Sequence, residues 1–506
     1  MASEAGLAIL RAGGSAVDAA IATNAALSVV AAHSCGLGGD AFWLIAQGDE
    51  VQALNGSGPS AAGATLEAAA AAGLTEMPER GPWTINVPGA IHSWGAAHAR
   101  FGRLAWPDLL RPAIELAQGF AATRGWAEAI ERSAAVFGEQ SDWASIYRPH
   151  GRPWQVGERV ELPALAGTLR QIADEGAEST YTGSLARRSA EYLAAAGAPL
   201  TAADFAAHRS EWTEPITIGY RGLTSLSHPP NSSGATSLEI LGLLDRFTPS
   251  HNDARWIDLG LRAARIALAD RNARLTDPRF MPTSTVAELL YPARLDALAA
   301  DIAAGRDRPP ATPHLSGGTI FLAAADDTGG MVSLIESNFR GFGSGVADPQ
   351  TGISFQNRAA SFMLDPTHVN VLAPRKRTLH TLTPGMLLRD GRPWIAHGAM
   401  GGAIQPQVFA QFVSAVVDGG LDIAEAVAAP RWSLGQPYNI GQLDGVTLEA
   451  RFPEGLAGQL EALGHPVATI EEYSSLMGHA NAVERRTDGS VAAASDPRCE
   501  GAALAW

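Results

Sequence analysis

Apolar residues recur at helical spacing along most of the chain up to about residue 300, as in Leu109 to Gln118, Ala164 to Glu175, Leu185 to Ala196 and Trp256 to Asp270. That period predicts a series of amphipathic helices. A further helix is predicted from Ser3 to Ala12, ended by Gly13-Gly14. Turn-forming stretches such as Pro88-Gly89 and Pro229-Pro230-Asn231-Ser232-Ser233-Gly234 separate the segments. From Ala303 to His314 the period stops and Pro, Arg and Thr accumulate, the pattern of an exposed, cleavable connector. Beyond it the pattern turns to strands, predicted over Thr319 to Ala325, Met331 to Ser337 and Leu387 to Ala396, with a helix from Val408 to Asp418.

The first two of these strands form a predicted hairpin around the turn Asp326-Asp327-Thr328-Gly329-Gly330. Thr328 lies midway between Thr319 and Ser337, so an unbulged antiparallel register sets those two residues opposite each other. Opposed residues carry their Cβ atoms about 4.5–5.5 Å apart on one face, which brings the two hydroxyls within hydrogen-bond reach. Thr319 also follows Gly317 and Gly318. Cutting the Gly318–Thr319 bond would give it a free amine beside its hydroxyl. A threonine hydroxyl is a weak nucleophile that needs an adjacent base, and an α-amine of ordinary pKa about 7.7–8.0 suits neutral pH. A threonine opening a strand after two glycines is also ordinary strand chemistry, so the rest of the chain decides.

At 506 residues the chain predicts two lobes or one large layered domain. A net charge of -15 and a pI near 5.3 argue against nucleic-acid and anionic-membrane partners. Of 37 basic residues only Lys376 is lysine, which excludes a phosphate loop needing Gly-Lys-Ser/Thr. Cys35 and Cys499 make neither a metal pattern nor a disulfide framework. With no Gly-x-Ser-x-Gly elbow and no His-Glu-x-x-His, no metal or cofactor is expected. The Ala-rich run from Ala19 to Ala32 is broken by Thr23, Asn24 and Ser28, and no basic start precedes a continuous apolar stretch. Neither a signal peptide nor a membrane span is expected, and the expected location is cytoplasmic, or periplasmic if an upstream segment is missing.

Several stretches in order resemble the γ-glutamyltransferase family of N-terminal nucleophile hydrolases: Ala12-Gly-Gly-Ser-Ala-Val-Asp-Ala-Ala20, Gly36-Leu-Gly-Gly-Asp-Ala-Phe42, Val87-Pro-Gly89, Pro112-Ala-Ile-Glu-Leu-Ala117 and Pro229-Pro-Asn-Ser-Ser-Gly234. They continue with Phe342-Gly-Ser-Gly-Val346, Gln356-Asn-Arg358, Pro374-Arg-Lys-Arg377, Met400-Gly-Gly-Ala403, Ala429-Pro-Arg-Trp432 and Ser495-Asp-Pro-Arg498. The resemblance implies an α+β fold, a four-layer αββα sandwich, made as one precursor that cuts itself between Gly318 and Thr319. The products would be a large chain, residues 1–318, and a small chain, residues 319–506, intertwined in one globular unit. Homo-oligomers of the processed heterodimer stay open. Thr319 matches the family's nucleophile, Ser337 falls where the family has a supporting threonine, and Gly401 and Gly402 match the glycine pair at the oxyanion.

The departures bear on substrate. Transferases hold a γ-glutamyl α-carboxylate with an arginine in an Arg-Glu-x-Ala-Pro stretch, where this chain reads Asn55-Gly-Ser-Gly-Pro-Ser60, and an α-ammonium with an Asp, where it has Ser361. Gained instead are Arg358, beside Asn357, and the pair His380 and Thr381 where transferases carry serines. An arginine fork suits bidentate binding of a carboxylate, although an arginine is also often simply exposed. Together with Ser474-Ser-Leu-Met-Gly-His-Ala480 these residues look most like the amidohydrolase and acylase branch, which includes oxamate amidohydrolase. The expectation is an amidase for a small carboxylate-bearing amide, oxamate- or glutaryl-like, bound at Asn357, Arg358, His380 and Thr381. The alternatives are γ-glutamyl transfer or glutathione hydrolysis, and an unprocessed, non-catalytic binding protein on the same scaffold.

Overall fold

The computed structural model describes residues 1–250, 253–306, 318–435 and 445–506. Residues 307–314 of the predicted connector lie outside these. Two helices open the chain, α1 (Ala2–Arg11) and α2 (Ala16–Val30). The Ser15 hydroxyl accepts from the Asp18 amide, and the Asp18 carboxylate accepts from the Ser15 amide, a reciprocal cap that fixes where α2 begins. Nearly all of α2 is buried, which its alanines permit on every side. The other helices used below are α3 (Ala90–Phe101), α4 (Trp106–Gln118), α5 (Pro163–Glu175), α6 (Ser184–Ala195), α7 (Gly234–Leu244), α8 (Ala254–Arg274) and α9 (Gln405–Val417).

Strands β1 (Asp40–Gln47), β2 (Glu50–Gly56), β3 (Glu211–Thr213), β4 (Ile216–Tyr220), β5 (Leu223–Ser227), β6 (Gly318–Ala325), β7 (Met331–Phe339), β8 (Gly385–Arg389), β9 (Arg392–Met400), β10 (His479–Arg485) and β11 (Val491–Ser495) build two antiparallel sheets. One has five strands in the order β3-β2-β1-β7-β6, the other six in the order β11-β10-β9-β8-β5-β4. Leu44, Ala46, Ala53 and Met331 of the first pack on Leu226, Met386, Ala396 and Val483 of the second. Behind the first sheet, Trp43, Leu54 and Leu334 meet Ile21 of α2 and Trp94 of α3. Behind the second, Leu387 and Ile395 meet Leu241 of α7, Ala264 of α8 and Phe409 of α9. Each large apolar side chain so buried contributes about 1.5–3 kcal/mol. The layers run helix, sheet, sheet, helix, the expected αββα sandwich. Among the described residues no helix is long and apolar enough to cross a membrane.

Five strands of the two large sheets lie before residue 300, and of these β1 is buried on both faces and therefore reads as a continuous apolar run without strand alternation. One sequence expectation needs correction. The strand expected from Leu387 to Ala396 is a hairpin, β8 and β9, turned at Asp390-Gly391. Both turn residues have positive φ, 52° and 76°, the backbone that an Asp-Gly pair favours in a tight turn.

Both sheets draw on both sides of the Gly318–Thr319 bond. The first combines β1, β2 and β3 with β6 and β7; the second combines β4 and β5 with β8, β9, β10 and β11.

Candidate active site

The hairpin of β6 and β7 is held at its turn by Asp326, whose Oδ1 accepts the amides of Thr328 at 2.9 Å and Gly330 at 2.8 Å. Its Oδ2 accepts the amide of Ala16 at 2.9 Å, which anchors the turn to the start of α2. From Ala325 opposite Met331 to Ile320 opposite Glu336 the register is the one centred on Thr328. At the head of the strand it slips by one, pairing Gly318 with Phe339, so Thr319 sits in an irregularity rather than in the unbulged ladder expected. The hydroxyl contact forms all the same: Thr319 Oγ1 donates to Ser337 Oγ at 3.1 Å. Ser337 donates its own proton to the Gly318 carbonyl at 2.6 Å and accepts the Phe339 amide at 2.7 Å. Phe339 holds φ at +76°, an uncommon backbone for a bulky residue and the kind of strain that collects at functional sites. Gly318 is closely enclosed, since a Cβ there would stand 3.0 Å from the His33 carbonyl oxygen.

The row of polar groups continues one strand further. Asp40, the first residue of β1, lies opposite Ser337 and on the same face. Its Oδ1 accepts the amides of Gly58 at 3.1 Å and Gly89 at 3.2 Å, while Oδ2 faces Gln356 Nε2 and His380 Nε2, both at 3.4 Å. Burial raises the Asp40 carboxyl to about 7, against the pull of Arg358 and the two amides. Asp40 was missed as a site residue in the sequence, although a charge heading an otherwise apolar strand, inside the Gly36-Leu-Gly-Gly-Asp40 stretch, was the available signal.

Arg358 arrives from a 3-10 turn, Arg358–Ser361, and is only 1% exposed. Its guanidinium carbon stacks 3.9 Å from the centre of the Phe339 ring. Nη2 reaches Ser337 Oγ at 3.4 Å and Nη1 reaches Thr381 Oγ1 at 3.3 Å, while Nε has no partner among the described residues. Among the described residues it has no carboxylate within ion-pair distance, and burial lowers it to about 9, opposed by the Asp40 charge. Gln356 lies between the Arg358 backbone and Asp40, its Oε1 accepting the Arg358 backbone amide and its Nε2 facing the Asp40 carboxyl.

The other expected pocket residues divide. Thr381 stands beside Arg358 as above. His380 is fully buried, edge-on to Phe42 at 4.8 Å between ring centres, with Nδ1 unpartnered. Burial, then the Arg358 charge, keeps its pKa well below the ordinary range, so the ring is neutral. Asn357 departs from the expectation of a substrate contact: its Nδ2 donates to the Glu79 carbonyl at 2.7 Å and its Oδ1 accepts the Arg340 amide at 3.0 Å. With both ends of the amide held by backbone, Asn357 braces the wall.

Gly401 and Gly402 follow β9. Ser333 of β7, opposite Ala323 of β6, donates to the His397 carbonyl, and the Gly398 position packs on the Phe321 ring. Moving up β9 from His397 to Gly398 is therefore moving down β6 from Ala323 to Phe321, so Gly401 lies toward the Thr319 end. Gly401 has φ +147° and Gly402 φ +59°, backbone that side chains resist. Among the described residues, no turn or loop backbone bond takes either N–H. Thr319, Ser337, Arg358 and Thr381 thus form one contiguous polar site, with the glycine pair at the same end of the sandwich.

A family model described as Gamma-glutamyltranspeptidase matches residues 2–506. The chain is 38% identical to the oxamate amidohydrolase proenzyme of Klebsiella pneumoniae, covering 100% of this chain and 97% of that protein. It is 36% identical to the glutathione hydrolase-like YwrD proenzyme of Bacillus subtilis, covering 100% and 96% respectively. Among solved structures, the cephalosporin acylase of Bacillus halodurans superposes with a TM-score of 0.92 at 36% identity, covering 100% of this chain and 94% of that one.

Proposed function

The chain belongs to the gamma-glutamyltranspeptidase family, a family of hydrolases and acyltransferases, and from that premise we propose that it is a self-processing N-terminal threonine amidohydrolase. The observation that carries the reading is the contact set around Ser337, which receives the Thr319 hydroxyl and gives its own proton to the Gly318 carbonyl. In the precursor, Thr319 Oγ attacks the Gly318 carbonyl carbon while the Ser337 hydroxyl stabilises the charge forming on its oxygen. The C–N bond breaks, the proton passes to the new amine, and water hydrolyses the resulting ester. Residues 1–318 separate covalently from 319–506, and Thr319 gains its base.

In the mature enzyme the Thr319 amine takes the hydroxyl proton as Oγ attacks the substrate amide carbonyl. Gly401 and Gly402 supply N–H donors to the oxyanion, and the amine passes the proton to the leaving nitrogen. Water, deprotonated by the same amine, releases the acid from the acyl-threonine. Arg358 and Thr381 bind a carboxylate on the acyl part, favouring oxamate- or glutaryl-like amides. A γ-glutamyl group fits less well. The Asn55–Ser57 segment is hydrogen-bonded to itself and to Asn231, and Arg377 beside it is spent on Glu211, Ser57 and Arg209. No anion partner stands at Ser361 for an α-ammonium. The test is to incubate purified protein with oxamate, a glutaryl amide and a γ-glutamyl anilide, with mass spectrometry for a new Thr319 terminus. Release of ammonia or amine from the first two supports the reading; an uncut active chain, or turnover of the anilide alone, overturns it.

A further inference from the structure

Arg358 and Asp40 are the two opposite charges of the buried site, and each is incompletely matched. Arg358 has Nε free and its two long contacts go to hydroxyls. On Asp40, Oδ1 is saturated by two amides while Oδ2 has only contacts of 3.4 Å. Both border Ser337: Asp40 lies opposite it on the neighbouring strand and Arg358 Nη2 reaches its Oγ at 3.4 Å. With Asp40 ionised, the two charges offset each other. A carboxylate seated on Arg358 would add a second anion facing one cation, in surroundings where an unpaired charge is costly.

We propose that Asp40 sets the specificity of the Arg358 pocket as its resident counter-charge: an anionic substrate enters together with one proton, which Asp40 takes up and releases when the acid product leaves. This inference rests on the reading of Arg358 as the carboxylate binder. The step balances as ionised Asp40, a proton and the incoming carboxylate giving protonated Asp40 beside the Arg358–carboxylate pair. Protonated Asp40 keeps its two accepted amides on Oδ1 and turns Oδ2–H toward His380 Nε2, on a ring that is neutral and able to accept.

The groups that face Asp40 are few. Arg358 and, more weakly, Arg377 favour its charged form, together with the Gly58 and Gly89 amides. Glu336, on the same hairpin strand as Ser337, and Tyr181 also feel its charge. His380 faces it directly, and His228 lies beyond Phe42. Once the chain is cut, the Thr319 amine joins them. Burial already raises Asp40 to about 7, so the proton is available at little cost near neutrality and scarce above it.

The experiment uses processed enzyme and butyrate, a monocarboxylate without an amide, titrated calorimetrically in buffers of unlike ionisation heat between pH 6 and 9. Wild type should take up close to one proton per butyrate above pH 7, with affinity falling about tenfold per pH unit there. Asp40→Asn should take up none and bind about thirtyfold more tightly than wild type at pH 8.5. Infrared difference spectra of wild type with carbon-13 butyrate should show an unlabelled protonated-carboxyl band on binding, a readout available even if Asp40→Asn fails to fold. Absence of that band, or uptake that persists in Asp40→Asn and so belongs to the Thr319 amine, overturns the proposal. Wild type that does not bind butyrate, or Arg358→Gln that binds it equally well, instead overturns the carboxylate reading beneath it.

Discussion

The row of Thr319, Ser337 and Asp40 and the wall that carries Arg358 meet at Ser337 but are built in different ways. Thr319, Ser337 and Asp40 sit on three neighbouring strands, Asp40 and Ser337 placed by backbone pairing and Thr319 at the irregularity that heads β6. Gln356, Asn357, Arg358, His380 and Thr381 come from irregular segments fastened by side chains to backbone. Asn370 is typical: it accepts from Thr276 and the Leu379 amide and donates to the Ser361 carbonyl and Thr378. A ladder fixes spacing for any sequence that keeps its strands, so the groups proposed to break the bond are held close by the fold itself. A wall of loops can exchange an arginine for another residue without disturbing that spacing, so substrate choice varies over constant chemistry.

Substitutions can test that division. The largest effect is expected from Thr319→Ala, which should abolish both maturation and turnover, leaving one full-length band where wild type should give chains of 318 and the remaining 188 of 506 residues. Next, Ser337→Ala should slow maturation about 100- to 1,000-fold, from losing about 2.7–4 kcal/mol of oxyanion stabilisation, while Ser337→Thr matures. Timed denaturing gels measure both. Gly401→Ala places a Cβ 2.8 Å from Ile404 Cγ1 on strained backbone and should lower kcat about 100-fold while maturation proceeds. Arg358→Gln should mature normally and raise KM for carboxylate-bearing amides about 10- to 150-fold, with kcat changed less, as expected for losing charged hydrogen bonds of about 1.5–3 kcal/mol. If Arg358→Gln blocked maturation instead, wall and ladder would not be separable.

The smallest effect concerns Glu336, on the opposite face of β7 from Ser337, where it accepts the Gly36 amide at 2.9 Å and a bond from Asn24. Burial raises its carboxyl to about 8. The folded chain thus holds a proton that the unfolded chain loses near 4.5, so stability should fall as pH rises from there through about 8. Glu336→Gln should flatten that part of the melting curve against pH and raise the midpoint by a few degrees at pH 9.

The same division explains what could be read in the sequence. The Thr319–Ser337 contact was legible because a hairpin's turn sets the register as far as Ile320, which brings the head of one strand near Ser337 although Thr319 itself is not in the expected pairing. The bulge at Thr319 was not, because it depends on Phe339 adopting positive φ against a neighbouring segment. Arg358 was visible as an unexpected residue, yet its stacking on Phe339 and its pairing with Thr381 arise between loops with no period. Asn357 read as a ligand because it adjoins Arg358; only the fold shows its amide occupied by Glu79 and Arg340. Asp40 escaped because its partners come from segments around residues 58, 89, 337 and 356.

Interleaving of the strands alters what unfolding means once the Gly318–Thr319 bond is cut. Strand β7 lies between β1 and β6, and β8 lies against β5, so neither product of cleavage owns a complete sheet. Before the cut, the chain melts as one molecule, with a midpoint indifferent to dilution. After it, melting separates two chains, and the midpoint falls as the protein is diluted. Reassembly would then require a bimolecular encounter between fragments with exposed strand edges, so the proposed maturation would turn a refoldable polypeptide into one whose persistence is set by its rate of opening.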